Sequence, residues 1–415
     1  SMDRTAPSLT TVTTNLDPSL VLLSDVVRNP AFAPAEVERL RAQRLAGLAA
    51  ERTQPAALAA RALPPLIYGE ASPYGRPFGG TGTPETISAL TREDLVAEHA
   101  EWVRPDNARI FVVSDLPLAD VTARLERAFG DWRAPATPRG TKAFPADIPA
   151  TTARIVLIDR PQSPQSIIYG GAVLPVSGTD DLLTLQAANT VLGTDFLSRI
   201  NADLRETKGW SYGVRGTISQ LENRATYIVN APVQANRTGE SIAALIAQYE
   251  RFLTTDGVTA AERDRTVNGD TRGLAGGFET SGQILGALRS NALYGRPDNY
   301  QETLASRTRA LTADQMDAAA RAAINPNQFV WVVVGDDAAV SGCAQFLRIS
   351  AAVQQDANVV EVEADTNQVA VTARQCLVNR QQSVIVRHPG QHGAQHGRRG
   401  SNEAHQGGAG AHYVP

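Results

Sequence analysis

The sequence repeats itself over a long distance. The tetrapeptide Tyr-Gly-Arg-Pro occurs at 74–77 and again at 294–297, an offset of 220 residues (294 minus 74). Two apolar runs, one ending at Asp115 and one at Asp336, are separated by 221 residues (336 minus 115). Matching landmarks in the same order indicate two copies of one domain. Because this period is far longer than that of solenoid repeats, each copy should have its own core.

The second copy has the pattern of a complete α+β domain. Strand-like segments come first, helical segments follow, and a buried strand returns at the end. The predicted strands are 153–160, 165–174, 210–219, 224–233 and the run ending at Asp336. This order predicts tandem domains of one fold, each a mostly antiparallel sheet with helices packed on one face.

The first copy is truncated at its N-terminus, because it begins with the counterpart of the later, mainly helical half. Such a half exposes a large apolar face, which must dock on the second domain, on another chain or on sequence absent here. The predicted divisions are a tag or flexible start (1–17), the partial first domain (18–132), a Pro-, Ala- and Thr-rich linker (133–150), the complete domain (151–340), and an atypical, disordered Gly- and His-rich tail (341–415).

Composition excludes several classes of function. The net charge is −4 with acidic and basic residues interspersed, so no nucleic-acid surface is expected. There is no apolar run long enough for a membrane span, and the first residues lack the apolar core of a signal peptide. Of six histidines, only His99 precedes residue 388. The first 387 residues therefore cannot hold a zinc site with two His ligands.

The segment 192–214 (LGTDFLSRINADLRETKGWSYGV) carries the sharpest chemical signal. Arg205 lies in the last turn of a predicted helix, Gly209 ends that helix, and Tyr212 opens the next strand. A guanidinium and a phenol hydroxyl placed together are donors for a peptide carbonyl or a developing oxyanion. The alternative is structural, with the arginine in a surface ion pair to a neighbouring glutamate and the tyrosine packed on the sheet.

This segment, together with 160–171 (RPQSPQSIIYGG), 277–283 (GFETSGQ), 293–300 (LYGRPDNY) and the closing VVVGD, resembles a domain of the pitrilysin/insulinase family of zinc metallopeptidases. Residues 18–132 resemble the later part of a preceding domain of that family. The resemblance covers about 300 residues and implies the metallopeptidase-like fold.

The family resemblance also implies a division of labour. In such peptidases four domains enclose a chamber, and one carries the inverted zinc motif H-x-x-E-H with a distal glutamate. This chain has no H-x-x-E-H, and Glu51, near the expected distal position, is off register and is interpreted as a solvated helix residue. We therefore expect no metal or other cofactor in this chain, with zinc in a partner domain or subunit. The family's substrate-binding Arg and Tyr map onto Arg205 and Tyr212.

Two functions follow as hypotheses. The first is a component that binds peptide substrates and supports proteolysis by a zinc-bearing, pitrilysin-like partner domain or subunit. The alternative is a catalytically inactive structural or assembly subunit of the same fold. Whether the chain counts as an enzyme is open, since it is expected to be inactive alone, and a periplasmic location is suggested only by the family resemblance.

Other candidates have structural interpretations. His99 is predicted to be a partly exposed helix residue, and the glycine-rich stretch 276–282 a helix break. Ser198 and Arg199 are expected to seat their helix against a neighbour, with Arg199 a secondary candidate for substrate contact. His388, His392 and His396 are spaced by four, but the intervening glycines favour a flexible tail over a metal site.

Overall fold

The computed structural model describes residues 2–145, 147–148 and 150–336 and the backbone of 359–363. The helices are α1 (Leu16–Arg28), α2 (Pro34–Glu51), α3 (Pro55–Tyr68), α4 (Pro84–Ala89), α5 (Arg92–Trp102), α6 (Leu118–Phe129), α7 (Leu183–Asn189), α8 (Arg199–Asn201), α9 (Thr238–Thr254), α10 (Ala260–Gly276), α11 (Ser281–Leu293), α12 (Tyr300–Arg309) and α13 (Ala313–Ala323). The strands are β1 (Arg154–Asp159), β2 (Gln165–Val173), β3 (Arg215–Gln220), β4 (Ala225–Gln234), β5 (Val330–Gly335) and β6 (Val359–Glu363).

The strands form one mixed sheet in the order β3-β4-β2-β5-β1-β6. The β1–β5 pair is parallel and every other neighbouring pair is antiparallel. The last strand of the domain, β5, inserts between β1 and β2, and all six of its residues are buried. Its Val-rich sequence suits a strand covered on both faces.

One face of the sheet carries the larger core. Side chains of β2, β4 and β5 pack there against α7, α9 and α13. Aromatic rings fill its centre, with Tyr227 stacked on Phe329 at 5.5 Å between ring centroids and Tyr249 edge-on to both. This arrangement confirms the predicted α+β class, a largely antiparallel sheet with the domain's own helices on one face.

The opposite face of the sheet is covered by α3, which belongs to the first half of the chain. Ala59, Leu63 and Ile67 are spaced by four, so they form one stripe on the helix, and all three are buried against β2 and β5. The Tyr68 hydroxyl hydrogen-bonds the Thr226 hydroxyl on β4. Of the three coverings considered for the apolar face of the first half, docking on the second domain is the one seen.

The described part of the first half has no counterpart of β5. The segment 109–114, which the repeat matches to β5, forms no strand, and none of the described residues 2–145 does. Ile110 is 52% exposed and Val112 41% exposed. A strand of this kind is stabilised by neighbours on both edges, and the described part of the first half supplies none.

The two ends of the chain depart from the predicted divisions. Asp3, within the predicted flexible start, is buried, and its carboxylate accepts hydrogen bonds from Tyr74 Oη at 2.6 Å and Glu222 N at 3.1 Å. Residues 359–363, within the predicted disordered tail, pair with β1 as an edge strand. The rest of the predicted tail, including its histidines, lies outside the described residues. In the described part of the chain, every helix is too short or too polar to cross a membrane.

We predict that Leu63→Ala lowers the free energy of unfolding by about 2–5 kcal/mol, because it opens a cavity between α3 and the sheet. Leu118→Ala is the matched control, since Leu118 is 81% exposed on α6 and its removal should change stability by less than about 0.5 kcal/mol. Equal effects of the two variants in denaturant unfolding would show that α3 does not stabilise the sheet.

Candidate functional site

Arg205 lies near the end of an irregular helix. The helix begins as α8 and continues as a π-helical segment, Ala202–Thr207, which widens the turn. π-Helical turns recur at functional sites. Trp210 N donates to Leu204 O at 2.9 Å, and Gly209 adopts φ +65°, the left-handed conformation that ends a helix. The predicted helix end is confirmed, and the chain reverses there toward Tyr212.

Asn201 joins the two sides of this reversal. Its Nδ2 donates to Phe196 O at 2.6 Å, and its Oδ1 accepts from Val214 N at 2.8 Å. Asn201 is almost completely buried, and its hydrogen bond with Val214 N is shielded from water. The turn before the helix and the chain after Tyr212 are therefore held by one side chain. Sequence reasoning did not identify this residue, because an asparagine in a helix gives no signal of two distant partners.

The Arg205 guanidinium has two neighbours. It lies over the Phe196 ring at 4.3 Å from the ring centroid, and its Nη1 donates to Glu206 Oε1 at 2.8 Å. The ion pair with a neighbouring glutamate is the structural alternative foreseen for this residue. Such an exposed pair contributes little to stability. The ring contact instead orients the guanidinium beside an exposed apolar surface.

Tyr212 is 89% exposed, so it does not pack on the sheet as the structural alternative required. It lies in a short connection, because β3 begins at Arg215 and not at Tyr212 as predicted. The preceding Ser211 forms an isolated bridge with Val233, and its Oγ accepts a hydrogen bond from Gly213 N at 3.1 Å. These contacts therefore fix the backbone on both sides of the exposed Tyr212 side chain.

Several carboxylates lie on or near the helix that carries Arg205. Asp203 is paired with Lys208, and Glu206 with Arg205. Burial, and next the nearby Asp195 carboxylate, raise the pKa of Asp270. The carboxylates of Asp203 and Glu206 are therefore each paired with a basic side chain of the same helix end.

Arg199 has a structural role. Its guanidinium forms a bidentate ion pair with Glu262 (2.8 and 2.7 Å) and donates to Gly257 O at 2.8 Å. The same group lies over the Phe252 ring at 5.0 Å. These contacts hold the start of α8 against α9 and α10, as predicted for Arg199. They explain the position of the guanidinium without a bound substrate.

Two candidates in the first half also make structural contacts. Glu51 forms an ion pair with Arg61 at 2.8 Å and is partly buried, so its interpretation as a solvated residue is wrong. His99 Nε2 lies 2.8 Å from Val27 O, and its ring meets Phe32 edge-on at 5.7 Å.

The glycine-rich stretch 276–282 is a helix break, as predicted, since α10 ends at Gly276 and Thr280 caps α11.

The described residues contain no group of three or more His, Cys, Asp or Glu side chains arranged to hold a metal ion. The donor set of this part of the chain therefore does not fit a catalytic zinc ion, which takes three protein ligands.

Comparison with known proteins finds relatives of this chain. Residues 89–269 match the family described as peptidase M16 inactive domain. An uncharacterised zinc protease of Mycobacterium leprae is 26% identical over 341 residues, covering 81% of this chain and 74% of the relative. A non-peptidase homologue of Helicobacter pylori is 20% identical over 328 residues, covering 77% and 72%.

A solved structure extends the likeness to the fold. The peptidase M16 inactive domain from Pseudomonas fluorescens superposes with a TM-score of 0.70 at 25% identity, over 78% of this chain and 76% of that protein. The resemblance to the zinc metallopeptidase family is thereby confirmed, since residues 89–269 match the peptidase M16 inactive domain and a solved M16 inactive domain shares the fold.

We predict that Asn201→Ala lowers the free energy of unfolding by about 1–3 kcal/mol, because Phe196 O and Val214 N both lose a buried partner. Asn268→Ala, at an exposed position on α10, is the control and should change it by less than about 0.5 kcal/mol. A loss of stability no larger than that of the control would show that Asn201 does not hold these two segments together.

We also predict a pH dependence from Glu262. Burial alone would raise its pKa, but hydrogen bonds from Arg199 and Thr259 outweigh burial and lower the pKa to about 2 from 4.5. A depressed folded-state pKa stabilises the protein fully above the unfolded value, and this stabilisation is lost as pH falls from about 4.5 to about 2. Glu262→Gln cannot titrate, so thermal unfolding of wild type and variant should converge over this range. A constant difference would contradict the ion-pair assignment.

Proposed function

We propose that this chain binds peptide substrates through Arg205 and Tyr212 and supports their cleavage by a zinc-bearing, pitrilysin-like partner domain or subunit. The observation that carries the proposal is the exposure of Tyr212 beside a rigid, buried support. A large aromatic side chain with a polar end, held almost entirely in solvent, is what a binding surface presents before its partner arrives.

The chemistry of the two donors fits a peptide backbone. A guanidinium offers several N–H groups in a planar fork, and a phenol offers one O–H. Together they suit a substrate carbonyl, whose oxygen accepts two hydrogen bonds. If the carbonyl gains negative charge during cleavage, fixed donors of this kind stabilise the charged form more than the neutral one.

The metal belongs to the partner in this proposal. Zinc polarises a carbonyl and activates water when it has suitable ligands, and the described residues do not provide them. Relatives named zinc proteases support a peptidase context.

The second candidate is a structural subunit without peptidase action. The relative named a non-peptidase homologue favours it. Under this alternative Arg205 and Tyr212 would contact only a partner chain, so their replacement would weaken assembly and leave peptide binding unaffected.

The deciding experiment is co-purification from the native host, followed by zinc analysis and peptide cleavage with and without the partner. We expect a partner that carries the inverted zinc motif, and cleavage only in the assembled complex. Recovery of the chain in an assembly that cleaves no peptide would favour the structural alternative.

We predict that Tyr212→Phe or Arg205→Ala lowers kcat of the assembled enzyme by about 10²–10³-fold, the usual cost of one oxyanion donor. Tyr300→Phe removes a phenol hydroxyl elsewhere and should leave kcat unchanged. Normal kcat in both site variants, measured on a quenched fluorescent peptide, would contradict the assigned roles.

We predict that the isolated chain, passed through a metal-free gel-filtration column, retains no stoichiometric zinc and cleaves no peptide. The reason is the absence of a suitable ligand set among the described residues. Stoichiometric zinc together with cleavage by the isolated chain would overturn the division of labour between this chain and its partner.

A further inference from the structure

A second surface feature adjoins Arg205. Phe196 and Leu197 are 61% and 55% exposed, although both are large apolar side chains. The two are adjacent in the chain, and the Phe196 ring lies under the Arg205 guanidinium. Single exposed apolar residues are ordinary on a protein surface, but such a group beside a binding site marks contact with another molecule.

The turn that carries these two residues is rigid. They occupy the centre of a turn in which Ser198 N donates to Asp195 O at 3.0 Å. Leu197 N donates to Asp195 Oδ1 at 3.4 Å, and the buried Asn201 amide holds Phe196 O. A turn fixed at three points does not collapse to hide its side chains. Their exposure is a property of the folded chain.

Phe196 also faces the site directly. The Arg205 guanidinium lies over one face of its ring, 4.3 Å from the ring centroid. The ring is therefore next to the group proposed to bind the peptide backbone. A peptide held at Arg205 would bring one of its side chains to this turn. Successive side chains of an extended peptide point to opposite sides, so a single side chain would meet Phe196 and Leu197.

We propose that Phe196 and Leu197 form an apolar subsite that selects peptides with a bulky apolar side chain next to the residue bound by Arg205. This inference rests on the proposed function, because it uses the same bound peptide. Phe196 acts in addition as a positioning residue for Arg205, whereas Leu197 contributes only apolar surface.

The test is binding of two labelled, unstructured peptides to the full chain, followed by fluorescence anisotropy. One peptide has a single central Leu in a Gly/Ser background, and the other has Ser at that position. Wild type should bind the Leu peptide on the order of tenfold more tightly, the value of partly burying one leucine side chain.

Leu197→Ser should remove this discrimination without weakening binding of the Ser peptide, because it leaves the Phe196 ring under the Arg205 guanidinium. Phe196→Ala should remove the discrimination and also weaken both peptides, because the guanidinium loses its support. Phe196→Tyr keeps the ring face and should restore binding of both peptides. Leu118→Ser, at a distant exposed leucine, should leave both affinities unchanged, and thermal unfolding should be unaltered in all four variants.

The outcomes separate this proposal from the one on which it rests. If Arg205→Ala weakens both peptides while Leu197→Ser keeps the Leu preference, the subsite is wrong and peptide binding by Arg205 stands. If wild type shows no preference but binds both peptides through Arg205, the subsite is likewise wrong. If wild type binds neither peptide, or Arg205→Ala binds like wild type, both proposals fail.

Discussion

The candidate site depends on the two hydrogen bonds of the Asn201 side chain. One holds the turn that precedes the helix, and the other holds the chain that leaves Tyr212 toward β3. Because the bond with Val214 N is buried, breaking it leaves a polar backbone group without a partner in the protein interior. The side chains of the site are exposed, but the buried Asn201 side chain fixes the backbone on both sides of the chain reversal that carries them.

Further contacts connect the helix that carries Asn201 to the rest of the fold. The bidentate pair of Arg199 with Glu262 fixes the start of the site helix to α10, and the sheet behind it is covered on both faces. One covering comes from the domain's own helices. The other comes from α3, which ends at Tyr68, well before β1 begins at Arg154. The first half therefore stabilises the sheet that carries the site, whatever else it contacts.

Periodic patterns in the sequence predicted the fold well, and single side chains less well. The strands β1, β2, β4 and β5 and the helix end at Gly209 were all predictable, because apolar alternation and a helix-ending glycine are local signals. The docking of α3 was one of three open alternatives, since nothing local tells a helix which surface it covers. The edge pairing of 359–363 was missed because the five residues Val-Val-Glu-Val-Glu are too short a signal by themselves.

At the candidate site, the sequence proposed residues but did not predict their surroundings. The sequence identified Arg205 and Tyr212 as a pair, and it raised both a surface ion pair and a packed tyrosine as the alternative. The structure contains the ion pair but leaves the tyrosine in solvent. Asn201 and Phe196 were missed, because their importance comes from contacts across a reversal of the chain that no spacing reveals.

The most direct test of the central claim is photo-crosslinking from position 212 in the assembled complex. Tyr212 is replaced by p-benzoylphenylalanine, and Leu118 is replaced in the same way as the control. The account predicts that irradiation attaches a labelled peptide to position 212 in the presence of the zinc-bearing partner and not to position 118. Equal labelling of both positions, or attachment at 212 to the partner chain alone, would contradict it.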